Sequence, residues 1–314
     1  MGEKMKFIFI AKKFFPQIAL AILVAIFFIA NPKSEKSFES ALVNPKYEID
    51  EISLRYEKEG SATISKRGAF WIYDYVSPEG KKATFPCDST VVKNLLDFSR
   101  SVVKVYEISD NLKNIDSFSL SQDDAFCLEF SQNGKTVSKI FFGAADSRRR
   151  IAFYVDKQKK IFCTDSAILS YLTLSPDFWC DPNIFPESVC DKIDEGTLAI
   201  SPLAIGIEKD LSQIARLRHG KIFLGEIQNF SIENLRHSQN GFSAAELPCA
   251  RIDDGKGNIY QAFFMPTGGA EGDYFCRFTA IPSAARNESD ALAIKSLDYV
   301  TTVSAWTFGR IFGE

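Results

Sequence analysis

Two histidines and seven cysteines are the side chains of this 314-residue sequence with the widest chemical range. His219 precedes a glycine at the end of a predicted helix, where the helix dipole would stabilise an imidazolium ion. His237 lies in a polar stretch, residues 236–241, that is typical of a solvated loop. A metal site needs several His, Cys or carboxylate ligands at short spacing. We therefore predict a capping role for His219, a loop position for His237 and no metal-binding residue.

The cysteines are odd in number and widely spaced, and no Cys-x-x-Cys pair occurs. This pattern fits neither a disulfide framework nor a zinc site. It favours buried, reduced thiols that pack as small apolar side chains. If any of them pair outside the cytoplasm, Cys180 and Cys190 are the closest in sequence. The seven positions are 87, 127, 163, 180, 190, 249 and 276.

Two further motifs resemble ligand sites but lack parts of them. Residues 253–255, Asp-Asp-Gly, have a calcium-like appearance, yet the later acceptors and the distal glutamate of an EF-hand loop do not follow. Residues 267–272 are rich in glycine but lack the Lys-Ser/Thr of a phosphate-binding loop. We interpret the first as a hairpin turn and the second as a loop between strands, so no cofactor-binding residue is predicted.

Charged clusters give no stronger signal for catalysis. Residues 148–150 are three consecutive arginines, which could contact anionic lipid headgroups but are more typical of a solvated turn. Asp123 with Asp124, and Asp191 with Asp194, are carboxylate pairs that nothing in the sequence places in a cleft. No catalytic residue is predicted, and we expect a protein that is not an enzyme.

The composition is that of a globular protein, with 46% hydrophobic and 25% charged residues. The net charge of -3 gives no electrostatic reason to expect a nucleic acid as partner. Phenylalanine is unusually frequent, with 28 copies, and supplies much of the material for a core.

An apolar segment near the N-terminus, residues 14–30, contains no charged residue. It approaches the roughly 20 residues that a membrane-spanning helix needs. Lysines at positions 4, 6, 12 and 13 precede it, so the positive-inside rule places the N-terminus in the cytoplasm. A cleaved signal peptide is the alternative, although cleavage after Ala30 would leave the large Phe28 at position -3. We predict an uncleaved anchor in the cytoplasmic (inner) membrane and an extracytoplasmic, periplasmic body.

Strand and turn patterns dominate the first half of that body. Residues 51–56, 62–65 and 69–75 predict a three-stranded meander, and Asp88 is placed to cap a helix that runs to about residue 103. Asn133-Gly134 predicts a tight hairpin between residues 125–131 and 137–142. Residues 151–156 and 160–164 form a second predicted hairpin, after which Asp165 can cap a short helix through residue 172. The predicted buried stripe of the long helix is Val91, Val92, Leu95, Leu96, Phe98 and Val102.

The second half carries weaker patterns. They predict a helix at residues 210–218 and strands at 221–227, 248–252, 258–265, 273–281 and 297–308, with a helix from residue 290 as the alternative for the last.

The predicted fold class is α+β: an N-terminal transmembrane helix followed by an antiparallel-sheet-rich extracytoplasmic body with a few packed helices. The predicted divisions are a cytoplasmic stub (1–13), a transmembrane helix (14–30), a polar stalk (31–46), an α+β domain (47–185) and a second β-rich α+β domain (186–314).

An ordered series of residues stands out within positions 49–185. It consists of Trp71, Asp88 with Val92, Leu95 and Leu96, then Phe118-Ser119-Leu120, Phe142-Gly143, Tyr154-Val155 and Phe178-Trp179-Cys180-Asp181. This series resembles the bacterial domain of unknown function 4340. The sequence departs from that family's pattern at Ser119, where a glycine is expected, and near Trp179, where Cys180 stands in place of an expected arginine.

The resemblance implies an anchored, extracytoplasmic α+β protein, and some family members are encoded beside ABC-type exporters related to gliding-motility proteins. We therefore expect a binding or scaffold protein, and more specifically an accessory subunit of an ABC-type transporter complex. Its expected partners are the lipid bilayer, through the N-terminal segment, and an ABC permease. The alternatives are a cell-envelope hydrolase acting on wall or polysaccharide material and a purely structural envelope domain.

Overall fold

The computed structural model of the protein describes residues 36–68, 70–156, 158, 160–187, 190, 216–225, 227, 230, 247–253, 259–269, 272–281 and 299–312. These residues form one antiparallel sheet of ten strands and another of five. The first contains β1 (Ser37–Ser40), β2 (Glu51–Tyr56), β3 (Gly60–Arg67), β4 (Phe70–Val76), β5 (Lys82–Pro86), β6 (Val103–Ser109), β7 (Phe126–Gln132), β8 (Lys135–Ala145), β9 (Arg150–Val155) and β10 (Ile161–Asp165). The second contains β11 (Ile222–Phe223), β12 (Cys249–Asp253), β13 (Ile259–Pro266), β14 (Tyr274–Ile281) and β15 (Val300–Val303).

Short helices accompany the sheets. They are α1 (Ser89–Arg100), α2 (Pro176–Trp179), α3 (Ala305–Phe312) and two 3-10 helices at Leu112–Phe118 and Ser166–Tyr171. The first sheet has the order β1-β6-β10-β9-β8-β7-β2-β3-β4-β5, and the second has the order β11-β15-β14-β13-β12.

The turns of the first sheet follow the local signals in the sequence. Asn133 and Gly134 have φ angles of 51° and 70°, as a two-residue turn with both central residues left-handed requires. This turn joins β7 to β8, so the predicted hairpin is confirmed. The predicted meander is also confirmed, because β2 pairs with β3 and β3 with β4.

Helix α1 begins where the sequence predicts. The Asp88 carboxylate accepts hydrogen bonds from the backbone N–H groups of Thr90 and Val91, which satisfies two donors of the first turn. Val92, Leu95 and Leu96 are buried, as predicted. The prediction for Val102 is wrong: α1 ends at Arg100, and the Val102 side chain is 65% exposed between the helix and β6.

Residues 37–40, within the segment that we interpreted as a polar stalk, form the edge strand β1 and pair with β6. The Phe38 ring meets the Phe162 ring edge-on, with 5.7 Å between centroids. This apolar contact attaches the segment to the body of the protein and explains why it is ordered as a strand.

The predicted fold class is corrected by the structure. The residues that the structure describes form two antiparallel sheets, and none of their helices is long and apolar enough to cross a membrane. The longest of those helices, α1, has 12 residues and is about 18 Å long, whereas a bilayer core is about 30 Å thick. The predicted transmembrane helix at 14–30 lies outside the described residues, as does the stub at 1–13.

The second sheet differs from its prediction near the C-terminus. Residues 297–308 were predicted as one strand, but β15 ends at Val303 and α3 begins at Ala305. The Ser304 hydroxyl accepts a hydrogen bond from the Thr307 N–H, so a serine cap starts a helix where β-branched residues had suggested a strand. The strand predicted at 221–227 is reduced to Ile222–Phe223, and most of the helix predicted at 210–218 lies outside the described residues.

A hydrophobic core continues from the first sheet to the second. The Phe85 ring in β5 packs against Tyr299, which directly precedes β15, at 6.1 Å between centroids. The Phe185 ring packs edge-on against Phe278 in β14, at 5.6 Å. Because these contacts are apolar and buried, they fix the edge of the first sheet beside the second.

Candidate functional site

A cavity of about 600 Å³ lies where the two sheets meet, and we call it the junction cavity. One wall comes from β5 and the turn before it, and the other from β11, the residues after it, β14 and the start of β15. The described residues that line it are Lys81, Lys82, Ala83, Phe223, Leu224, Gly225, Ile227, Arg277, Tyr299 and Val300.

The junction cavity lies beside an end strand of each sheet. In the described fold β5 has a single neighbouring strand, β4, and β11 has a single neighbouring strand, β15. The N–H of Ile222 in β11 already donates to the Asp177 carboxylate at 2.6 Å. Among the described residues, the edge of β5 is hydrogen-bonded at its end, where the Pro86 carbonyl accepts a hydrogen bond from the Asp181 N–H.

The open part of the β5 edge carries main-chain groups that point away from the sheet. The Cys87 N–H donates inward to the Trp71 carbonyl in β4, whereas the Pro86 carbonyl points outward. Backbone groups alternate in direction along a strand, so those of Lys82 and Thr84 also point away from β4. An extended segment placed along this edge could pair with them.

The described lining of the junction cavity is positively charged. Lys81 and Lys82 are exposed, and neither has a carboxylate within salt-bridge distance among the described residues. Arg277 is buried, with its guanidinium 5.7 Å from the centroid of the Phe230 ring. No aspartate or glutamate is among the described lining residues. Such a wall suits an anionic group.

The wall formed by the second sheet is largely apolar. Phe223 packs against Phe275 at 5.0 Å between ring centroids, and Leu224, Ile227 and Val300 lie beside it in the lining. A ligand that fills the junction cavity therefore needs apolar groups as well as negative charge.

A polar cluster lies at the same junction, next to the end of β5. The Asp181 side chain is 1% exposed, and its carboxylate accepts hydrogen bonds from the backbone and side-chain N–H groups of Asn183, at 3.0 and 2.9 Å. It also accepts from the Glu187 N–H. Burial raises the pKa of Asp181 to about 8, and the negative charges of Glu187 and Asp88 add to the increase, whereas the Asn183 donors act against it.

His219 connects this cluster to the second sheet. Its Nε2 lies 2.8 Å from the Asp181 carbonyl oxygen and its Nδ1 lies 2.9 Å from the Gly220 carbonyl oxygen. The His219 backbone N–H donates to the Pro182 carbonyl at 2.9 Å. Burial lowers the pKa of His219, and a neutral imidazole has one N–H to donate to these two acceptors. The observed role of His219 is thus to join two segments through carbonyl groups, which differs from the predicted interaction with a helix dipole.

The Tyr299 hydroxyl is buried and has no hydrogen-bond partner in the described structure. Burial raises its pKa well above the usual value, with further contributions from Cys180 and Asp181, which places the hydroxyl close to the polar cluster. Tyr299 therefore contributes both to the lining of the junction cavity and to the region beside Asp181.

The charged clusters that the sequence singled out lie away from this junction. The predicted solvated turn is found at Arg148 and Arg149, which are exposed between β8 and β9. Arg150 instead begins β9, and its side chain, which is 19% exposed, donates to the Asp146 carboxylate. Asp124 forms a surface ion pair with Lys58 at 2.7 Å. His237, Asp191, Asp194 and the turn at 254–258 lie outside the described residues.

The residues of the junction cavity were missed because they come from distant parts of the chain. Lys81 and Lys82 precede a strand in the first half, whereas Arg277 and Tyr299 belong to the second half. The adjacent lysines next to a turn were the one local signal that could have pointed to them. No group of three or more potential metal ligands is found among the described residues.

The chain was compared with family models, curated proteins and solved structures, and it matches none of them.

Proposed function

We propose that this chain is an extracytoplasmic binding or scaffold protein of a membrane complex. In this proposal the junction cavity receives an acidic, partly apolar, extended segment of a partner protein. The proposal rests on three features of the described residues: a β5 edge with a single strand neighbour, two lysines that form no salt bridge with a described carboxylate, and an apolar facing wall.

The binding mode that fits these features is addition of a strand to a sheet edge. The partner segment would pair its backbone with the outward groups of Lys82 and Thr84. Its carboxylates would meet Lys81 and Lys82, and its apolar side chains would contact Phe223 and Leu224. Lysines on an edge strand also oppose pairing with another basic or purely apolar strand, so the charge would select acidic partners.

The proposed location is supported by the sequence. The uncharged segment 14–30 and the lysines before it favour attachment to the cytoplasmic membrane, with the body on the periplasmic side. The resemblance of residues 49–185 to the domain of unknown function 4340 suggests an accessory subunit of an ABC-type transporter, with a permease as partner. The membrane location and the transporter role are both parts of the proposal.

A hydrolase acting on wall or polysaccharide material is the second candidate. Such an enzyme would need two carboxylates about 5 to 9 Å apart in a groove. The described lining of the junction cavity is cationic and aromatic instead, which favours the binding of an anion over general acid–base catalysis.

The proposal is tested by purifying the tagged full-length protein from gently solubilised membranes. We expect a permease or ATPase subunit to co-purify with the wild type and to be lost from the double variant Lys81→Glu with Lys82→Glu. The matched control, Lys93→Glu with Lys135→Glu, makes the same change in net charge at exposed sites that do not line the cavity. Recovery of the wild type alone in repeated purifications, or equal loss in the control, would contradict the proposal.

A further inference from the structure

Cys87 and Cys180 lie directly opposite each other in an isolated antiparallel bridge. The Asp88 N–H donates to the Trp179 carbonyl at 2.9 Å, and the Asp181 N–H donates to the Pro86 carbonyl at 3.0 Å. These two bonds flank the cysteines, so Cys87 and Cys180 form a non-hydrogen-bonded pair with side chains on the same face.

The geometry of such a pair is compatible with a covalent link. Opposed Cα atoms in a non-hydrogen-bonded pair are about 4.5 Å apart. Disulfides join Cα atoms that are roughly 4.4 to 6.8 Å apart, with Cβ atoms about 3.5 to 4.5 Å apart. The strand pairing therefore has the backbone geometry that a disulfide between Cys87 and Cys180 needs. Both thiols are free in the structure, and the Cys180 Sγ atom lies 3.5 Å from the Asp181 carbonyl oxygen and 3.7 Å from His219 Nε2, so the bond forms only when the two side chains turn toward each other.

We propose that Cys87 and Cys180 are a disulfide site, which closes as the chain folds in an oxidising compartment. Nothing in the binding function proposed above requires this link. The geometry stands independently of location, and only the formation of the bond in the cell rests on the proposed extracytoplasmic location.

The oxidation needs an electron acceptor, and a disulfide such as oxidised glutathione or a thiol–disulfide oxidoreductase supplies it. The thiolate of one cysteine attacks the acceptor disulfide and releases one thiol, giving a mixed disulfide. The second cysteine then displaces the remaining thiol. Overall the two cysteine thiols lose two protons and two electrons, and the acceptor disulfide becomes two thiols.

The timing of this reaction follows from burial. Cys87 and Cys180 are each 3% exposed, and burial raises the pKa of both thiols well above the usual value. In the folded protein they are therefore protonated and inaccessible, so the exchange has to take place before the two cysteines are buried. For the same reason, a bond formed during folding is then protected from reductants in solution.

The link would strengthen the junction of the two sheets. It would join the end of β5, whose first residues line the junction cavity, to residues 180–184, which continue toward the second sheet. The closed loop contains α1 and strands β6 to β10. Covalent closure of so long a loop restricts the unfolded chain strongly.

The pairing suggested by sequence distance is a different one. Cys180 and Cys190 are the closest cysteines in sequence, but the Cys190 thiol is directed to the Phe185 carbonyl oxygen at 3.6 Å. Cys190 is therefore the informative control, because it is buried near the same junction and is not opposed to Cys180.

The test is to refold the full-length protein in a buffer of reduced and oxidised glutathione, block free thiols, digest the protein without reduction and map the linked peptides by mass spectrometry. We expect one link, between Cys87 and Cys180, in the wild type and in the variant Cys190→Ser. The variants Cys87→Ser and Cys180→Ser should each lack it and gain one blockable thiol at the remaining partner.

A second measurement does not depend on how well the serine variants fold. Reductant present during refolding should lower the melting temperature of the wild type by roughly 5–10 °C. Recovery of seven blocked thiols from the oxidised wild type, or a link between Cys180 and Cys190, would overturn the proposal. The same mapping can be done on protein whose free thiols are blocked in intact cells. A link that forms in the refolded protein but is missing from the protein taken from cells would support the disulfide site and count against the proposed extracytoplasmic location.

Discussion

The Nε2 atom of His219 lies 2.8 Å from the main-chain carbonyl oxygen of Asp181, and this contact joins the segment after α2 to the start of the second sheet. The side chains of the same two residues have pKa values displaced in opposite directions. Burial lowers the pKa of His219 and raises that of Asp181 to about 8, so both are held neutral in the folded protein over part of the physiological pH range.

These two displacements predict how stability depends on pH. Asp181 ionises near pH 3.9 in the unfolded chain but near 8 in the folded one, so its contribution is complete below pH 4 and is lost as the pH rises to 8. His219 binds a proton below about 6.5 when unfolded, so its effect has the opposite sign and is confined to lower pH. The two oppose each other between about pH 4 and 6.5.

Between about pH 6.5 and 7.5 the Asp181 effect dominates, because the buried thiols, whose pKa values are also raised, contribute only as the pH nears the unfolded cysteine pKa of about 8.5. We expect the free energy of unfolding, measured by urea titration, to fall between pH 6.5 and 7.5 with a slope that approaches about 1.4 kcal/mol per pH unit. The variant Asp181→Asn should be less stable overall, because its amide cannot accept from both Asn183 and Glu187, but this slope should disappear. An equal slope in the variant would show that Asp181 does not cause it.

Gly143 is required by a close backbone approach. A Cβ atom at this position would lie 2.0 Å from the Phe118 carbonyl oxygen and 3.0 Å from the Ser119 carbonyl oxygen. We predict that Gly143→Ala lowers the free energy of unfolding by at least about 2 kcal/mol, since backbone atoms must move to accept the methyl group. Gly269→Ala is the control, because a Cβ there would make only an ordinary contact with Thr267. Equal urea midpoints for the two variants would contradict this explanation.

Ser119 ends the 3-10 helix at Leu112–Phe118 with a φ angle of 53°, in the left-handed region. The left-handed conformation costs a residue with a Cβ roughly 1–2 kcal/mol. A glycine avoids this cost, but it loses more backbone entropy on folding, which offsets part of the gain in stability. We predict that Ser119→Gly raises the free energy of unfolding by about 0.5 kcal/mol. Ser119→Ala retains the strained conformation and should not stabilise the protein, so stabilisation by both variants would point to the loss of the hydroxyl instead.

Local signals in the sequence were sufficient for much of the first sheet. Asn133-Gly134 specified its turn because few residues adopt positive φ, and Asp88 specified a helix start because its carboxylate satisfies free N–H groups. Ser119 has a φ angle of 53°, a left-handed conformation that its residue type does not signal in the sequence. Each of these features depends on residues that are adjacent in the chain.

The junction between the sheets could not be predicted in this way. Its cavity brings Lys81 and Lys82 together with Tyr299, and its cysteine pair joins Cys87 to Cys180 rather than to the neighbouring Cys190. Cys87 and Cys180 lie opposite each other because the carbonyl groups of Trp179 and Pro86 accept hydrogen bonds from residues that are distant in the sequence. Sequence spacing carries no information about such contacts, because they are fixed only when the sheet edge and the segment after α2 pack together.

The final prediction concerns the bond that joins α2 to the edge of the second sheet. The Asp177 carboxylate accepts a hydrogen bond from the Ile222 N–H at 2.6 Å, although the Asp177 side chain is exposed. Its removal in Asp177→Ala should lower the free energy of unfolding by about 1 kcal/mol and leave the outward N–H of β11 open to water.

Hydrogen exchange measures this local effect directly. We expect the amide of Ile222 to exchange several-fold faster in Asp177→Ala, while the amides of β7 and β8 change only by the global loss of stability. Asp123→Ala is the matched control, because Asp123 is exposed in a loop of the first sheet and its carboxylate makes no hydrogen bond within the described structure. Unchanged exchange at Ile222 in Asp177→Ala would contradict the prediction, because it would show that the bond to Asp177 does not protect this amide.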